Sequence, residues 1–195
     1  MYPPLSLEMF HGIVIAAGNN PYLSALAMRV PAVIGVGLIV YFLPRIARQI
    51  GADIQLTAWF SAINPLVIID LVGGAHNDAL MLGLIVMALW LACKSHFWWA
   101  AVVVGVAASV KQPAILAFYP VALIRHPWQT LKWGDTWPAL RRLALSLAVS
   151  VAVFVAITFA TGLGFGWIYA MDVPGQIVTL APFTLVGAGL KLVLT

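Results

Sequence analysis

Leu143-Ala-Leu-Ser-Leu-Ala-Val-Ser-Val-Ala-Val-Phe-Val-Ala-Ile-Thr-Phe-Ala-Thr161 carries no charge, no proline and no glycine. It runs for about the 20 residues that a helix needs to cross bilayer hydrocarbon. In lipid a single segment satisfies its own backbone only as a helix. Similar runs lie on either side. Leu23 to Leu43 is closed by Pro44 and the basic Arg45 and Arg48. Leu56 to Val72 is interrupted at Asn64-Pro65, and Ala79 to Cys93 ends at Lys94. Phe97 to Val110 and Pro113 to Ile124 are shorter, and Phe183 to Leu194 closes the series. Leu5 to Ala17 is too short to cross and contains Glu8 and His11, so it reads as an interfacial or re-entrant helix. The expected fold is all-α: a polytopic transmembrane helical bundle of about six to seven spans, with residues 1–195 in a single transmembrane domain.

Composition excludes the other classes. Of 195 residues, 63% are apolar and 8% charged, and the mean hydropathy is +1.03. Soluble domains are about 45–50% apolar and about 25% charged, and a small soluble fold could not hide this much apolar surface. Cys93 stands alone, which removes a disulfide scaffold. The start has neither the basic region nor the cleavage site of a signal peptide. Ten Lys and Arg against six Asp and Glu leave a net charge of +4. These cations are scattered between apolar runs with no nucleic-acid motif, so they read as orientation signals. Running the first span inward places Arg45, Arg48, Lys94, Arg125, Lys132, Arg141 and Arg142 inside, leaving Arg29, Lys111 and Lys191 near the outer face. Asn19-Asn20, the turn Gly73 to Asp78, Lys111-Gln112 and Asp172 then collect outside. No internal repeat is evident, and Trp98, Trp99, Trp128, Trp133, Trp137 and Trp167 sit near span ends as interface anchors.

Several polar residues are candidates for chemistry. Asp70 lies in the apolar run Val67 to Val72, where an ionisable group costs up to about 2.5–3.5 kcal/mol. It either faces a cavity or pairs with Arg29 or the headgroups. His76-Asn77-Asp78 follows Gly73-Gly74, two residues that permit positive φ and close backbone approach. Asn77 or Asp78 also suits the N-cap of the next helix. Lys111-Gln112-Pro113 ends a span on the outer side, where a lysine suits a phosphate or contacts headgroups. Arg29 invites the same reading. Asn64-Pro65 should break its helix. One histidine with one or two carboxylates is too few ligands for zinc, and no phosphate-binding or nucleophile motif appears, so no metal and no cofactor is expected.

Together, Asn64-Pro-Leu-Val-Ile-Ile-Asp-Leu-Val-Gly-Gly-Ala-His-Asn-Asp-Ala-Leu-Met81, Val110-Lys-Gln-Pro113 and Val173-Pro-Gly-Gln-Ile-Val-Thr-Leu-Ala-Pro-Phe-Thr-Leu-Val-Gly187 resemble the actinobacterial α-1,6-mannosyltransferases of the mannopyranosyltransferase A/B type. Tyr2-Pro-Pro-Leu5 adds to the likeness. The resemblance implies a GT-C glycosyltransferase, a multi-pass plasma-membrane enzyme with an extracytoplasmic active face. Such an enzyme takes mannose from polyprenyl-phosphate-mannose to the α-1,6-mannan backbone of lipomannan and lipoarabinomannan. In that reading Asp70, His76, Asn77, Asp78 and Gln112 bind sugar or acceptor, and Arg29 and Lys111 hold the donor phosphate. Asp70 and Asp78 are secondary candidates for the general base, which the resemblance places outside this chain, since family members are longer and the chain resembles an internal fragment. A non-catalytic homologue that binds lipid-phosphate sugar and a secondary transporter are the alternatives; the latter should carry its ionisable groups near the midplane in repeated halves.

Overall fold

In a computed structural model, residues 2–124, 133–166 and 168 are described. The described chain is helical throughout. It comprises α1 (Pro4–Ala16), α2 (Pro21–Ala27), α3 (Arg29–Ile50) and α4 (Ile54–Ile63), followed by a π-helical segment (Leu66–Gly73). Then come α5 (Asp78–Cys93), α6 (Phe97–Val110), a 3₁₀ turn (Gln112–Ala117), α7 (Phe118–Leu123) and α8 (Trp133–Ala160). The described residues before Phe165 belong to one compact unit, Tyr2–Gly164. The second unit comprises Met1 and Phe165–Thr195, and in its described part the Ile168 N–H donates to the Phe165 carbonyl at 3.0 Å. The expected run Phe183–Leu194, Asp172, Arg125, Lys132 and the motif beginning at Val173 lie outside the described residues.

Local chemistry sets several helix boundaries. Asn20 caps α2 by accepting from the Tyr22 and Leu23 N–H groups, and Pro21 follows at the first helical position. Asp53 caps α4 through the Leu56 N–H at 2.9 Å. Gly51 ends α3 in the left-handed region, φ 74°. Asn64 stands extended before Pro65, with ψ 119°, as sterics at a pre-proline residue require. The helical pieces on either side are bent by 44°.

The expectation of six to seven spans is corrected. Among the described residues two helical stretches are long and apolar enough to cross a membrane, Pro21–Ile50 (30 residues) and Thr136–Ala160 (25 residues). The bent pair Ile54–Ile63 and Val67–Gly73 brings the number to three if it is one span. The reason is length. At 1.5 Å per residue, the 16 residues of α5 and 14 of α6 reach only about 24 and 21 Å, against about 30 Å of hydrocarbon. The run Pro113 to Ile124 divides into a 3₁₀ turn and a single short helix.

Small residues hold the bundle together. Ala88 and Ala92 of α5, Ala100 and Val104 of α6, and Ala117 and Val121 form one buried cluster. With lipid tails as apolar as leucine, close approach and polar links drive such packing. A Cβ on Gly35 would fall 2.2 Å from the Ala79 backbone, and one on Gly83 2.5 Å from the Gly35 carbonyl. Backbone therefore meets backbone where α3 and α5 run side by side in the same direction, with Phe42 against Trp90 further along at 5.0 Å. Hydroxyls tie α8 to its neighbours. Ser150 Oγ donates to the Ala101 carbonyl at 2.9 Å and Ser146 Oγ to the Phe118 carbonyl at 3.1 Å.

Gly35→Ala should therefore lower stability by about 1–3 kcal/mol, because the backbone of α5 must move away. Gly37→Ala, where the added carbon meets nothing within 4 Å, should be neutral or stabilising by up to about 1 kcal/mol. Thermal unfolding of the two variants in detergent measures the contrast.

Candidate functional site

The site begins with a helix that has to stop. Pro113 has no N–H to continue α6, and Lys111 turns out of it at φ −153°, ψ 126°. The Ala114 N–H goes to the Lys111 carbonyl at 3.1 Å, leaving the Val110 carbonyl without its helical partner in a buried place. Side chains supply the replacement. Ser6 Oγ of α1 donates to it at 2.6 Å, and Asn77 Nδ2 donates to it at 3.5 Å and to Ser6 Oγ at 3.3 Å. Three segments distant in sequence thus meet at one carbonyl. Ser6 is fully buried and Asn77 is 3% exposed, with its Oδ1 unpartnered.

Beside this tie, Asp78 and Lys111 form an ion pair, each about 30% exposed. Asp78 stands in the first turn of α5, where the helix dipole favours a negative charge. Asn77 occupies the N-cap position but its Oδ1 accepts no capping bond, while its Nδ2 donates to Ser6 and Val110. The capping expectation is thus corrected for Asn77.

Asp70 and His76 come from the wide turns before α5. The His76 N–H reaches back to the Leu71 carbonyl at 3.0 Å, and the Gly74 N–H to Ile69 at 3.2 Å, both five residues apart. Such π-helical turns are rare and recur at functional sites. His76 Nε2 lies 4.0 Å from Asp70 Oδ1, and the two side chains are 51% and 69% exposed. The expected use of the glycines is corrected in part. Gly74 has φ −75°, and it is Ala75 that adopts positive φ, 53°. Close approach does apply at Gly74, since a Cβ there would lie 2.5 Å from the Asp70 carbonyl and 2.7 Å from His76 Cδ2.

Arg29, the first residue of α3, completes the cluster. Its guanidinium donates to the carbonyls of Ala25 and Gly73, each at 3.3 Å. It is paired with no carboxylate among the described residues. Asp70 therefore takes His76 rather than Arg29 as its neighbour. Gln112 follows Lys111 and is half-buried at the start of the 3₁₀ turn. The candidate residues thus gather where α3 and α5 begin and α6 ends, while Arg45, Arg48 and Lys94 lie at the opposite ends of α3 and α5. Among the described residues no three of His, Cys, Asp and Glu come together to hold a metal. Sequence reasoning missed Ser6; its only signal was a hydroxyl in an apolar helix.

The two cations at this end are held differently: among the described residues Arg29 donates to backbone carbonyls and Lys111 is paired with Asp78. The family model described as alpha-(1->6)-mannopyranosyltransferase, N-terminal domain, matches residues 1–127. The chain belongs to that family. It is 33% identical over 218 residues to a probable alpha-(1->6)-mannopyranosyltransferase of Mycolicibacterium smegmatis, covering 96% of this chain and 38% of the relative. It is 30% identical over 194 residues to alpha-(1->6)-mannopyranosyltransferase A of Corynebacterium glutamicum, covering 93% of this chain and 40% of that one. The protein of the same name in Mycobacterium tuberculosis is 30% identical over 172 residues, 87% and 33% of the two lengths. The chain therefore spans no more than about two fifths of these curated relatives. No solved structure matches it.

The Asp78–Lys111 pair is predicted to be coupled. Asp78→Asn and Lys111→Met should each destabilise the protein, because each leaves a half-buried charge alone. The double variant should recover about 1 kcal/mol relative to the sum of the two, measured by unfolding of all four proteins in detergent.

Proposed function

We propose that this chain forms part of a mannosyltransferase that moves mannose from polyprenyl-phosphate-mannose to an α-1,6-mannan acceptor of the lipomannan and lipoarabinomannan type, at the outer face of the plasma membrane. The observation that carries this reading is the gathering of Arg29, Asp70, His76, Asp78 and Lys111 at one end of an apolar bundle, in a chain whose relatives are named mannopyranosyltransferases. The gathering suits a donor whose polyprenyl chain stays in hydrocarbon while its phosphate and sugar emerge at that end.

The roles follow from charge and exposure. Arg29, with no carboxylate against it among the described residues, is the principal phosphate ligand, and its planar fork matches phosphate oxygens. Lys111 adds a second positive charge while Asp78 holds it in place. As the C–O bond to phosphate breaks, negative charge grows on the leaving oxygen, and fixed cations there lower the barrier. The acceptor hydroxyl attacks the anomeric carbon from the opposite side, turning a β-linked mannosyl phosphate into an α-linked product. Its proton passes to a carboxylate base. Asp70 and His76, the more exposed pair, are placed to hydrogen-bond sugar or acceptor hydroxyls, with Gln112 beside Lys111. Asn77 Nδ2 is occupied by Ser6 and Val110, so Asn77 serves the site through position.

The test is transfer from radiolabelled polyprenyl-phosphate-mannose to a short α-1,6-mannan acceptor in membranes containing the full chain. Arg29→Gln should lower kcat/KM at least tenfold, about 1.4 kcal/mol of lost stabilisation, whereas Arg48→Gln, at the far end of α3, leaves it unchanged. Transfer unaffected by Arg29→Gln would remove the phosphate role. Donor binding without any transfer would identify a non-catalytic homologue instead.

A further inference from the structure

A second groove lies away from the polar cluster, between the start of α6 and the first turns of α8. It encloses about 430 Å³ and is lined by Phe97, Trp98, Trp137, Pro138, Arg141, Arg142 and Leu145. Trp98 and Trp137 are 57% and 73% exposed, amphipathic rings of the kind that settle at the membrane interface. The arginines sit at that depth as well. The apolar part of α8, Thr136–Ala160, is 25 residues or about 37 Å long, which exceeds the hydrocarbon thickness by about 7 Å. Arg141 is about 8 Å along it from Thr136.

The two cations are ordered differently. Arg142 Nε donates to the Ala122 carbonyl at 3.0 Å, and its guanidinium carbon lies 5.0 Å from the centre of the Phe97 ring. These contacts fix the plane of the guanidinium and leave its terminal nitrogens without a hydrogen bond among the described residues. Arg141 is exposed on the next position of the helix. Neither is ion-paired among the described residues. The groove therefore offers two guanidinium groups that have no carboxylate partner among the described residues, together with an apolar lining of Trp98, Pro138 and Leu145.

We propose that this groove is a binding site for an anionic phospholipid, its phosphate on Arg141 and Arg142 and its glycerol and upper acyl chains along the tryptophans. A zwitterionic lipid brings its own cation and gains less from the pair, and a soluble anion makes no use of the apolar wall. Basic pockets between membrane helices recognise acidic headgroups on these terms. The site is independent of the proposed transfer chemistry, since it shares no residue with it.

The experiment places the purified protein in nanodiscs and follows the part of the tryptophan emission that Trp137→Phe removes. Brominated phosphatidylglycerol should quench it at a severalfold lower mole fraction than brominated phosphatidylcholine. Arg141→Gln should raise the half-quenching fraction about fivefold, the value of about one basic residue at an anionic surface, while Arg141→Lys stays within about twofold. Millimolar inorganic phosphate should leave the quenching unchanged. Equal quenching by the two lipids, an Arg141→Gln effect no larger than that of Arg48→Gln, or displacement by inorganic phosphate would each overturn the proposal. Where Arg141→Gln fails to fold, loss of the wild-type lipid preference in molar salt supports it and a salt-insensitive preference contradicts it.

Discussion

The constraint on which the site depends is a single backbone carbonyl. Pro113 denies α6 a further turn, so the Val110 oxygen is left in an apolar interior that offers it no water. An unpaired buried acceptor costs about 1–3 kcal/mol. Ser6 and Asn77 remove that cost by donating to it or to one another. Their doing so brings α1 and the start of α5 against the end of α6. Lys111 and Asp78 are the next residues on two of these segments, and their pairing follows from the tie as a matter of chain geometry.

Charge is then distributed unevenly around the tie. Lys111 is largely compensated by Asp78, which makes it a positioned but moderated cation. Among the described residues Arg29 donates to the carbonyls of Ala25 and Gly73 and pairs with no carboxylate, and these contacts set its direction. The Gly73 contact also links Arg29 to the π-helical segment that carries Asp70, and close packing at Gly74 brings the His76 ring toward the same carboxylate.

Much of this was legible in the residues. The charge-free run 143–161 became the body of α8, and Asn64-Pro65 broke its helix with Asn64 extended, since both follow from local chemistry that tertiary packing does not override. The span count was not legible. Apolar composition in Ala79–Cys93 and Phe97–Val110 reads as membrane contact, yet these alanine-rich helices are short and bury much of that surface against protein. The left-handed turn fell on Ala75 rather than on either glycine, while Gly74 is needed for the close approach of the Asp70 carbonyl and the His76 ring. Ser6 was invisible for a different reason: its role exists only once a carbonyl 104 residues away loses its partner.

The central claim is that this tie gathers the polar residues at one end of the bundle. Spin-label distances in a Cys93→Ser background test it directly, with labels at His76→Cys and Gln112→Cys compared with labels at His76→Cys and Lys94→Cys. The second pair spans the length of α5, so it should lie at about 25 Å or more, and the first should give a narrow distribution at clearly shorter distance. A 76–112 separation as long as the 76–94 one would contradict the account.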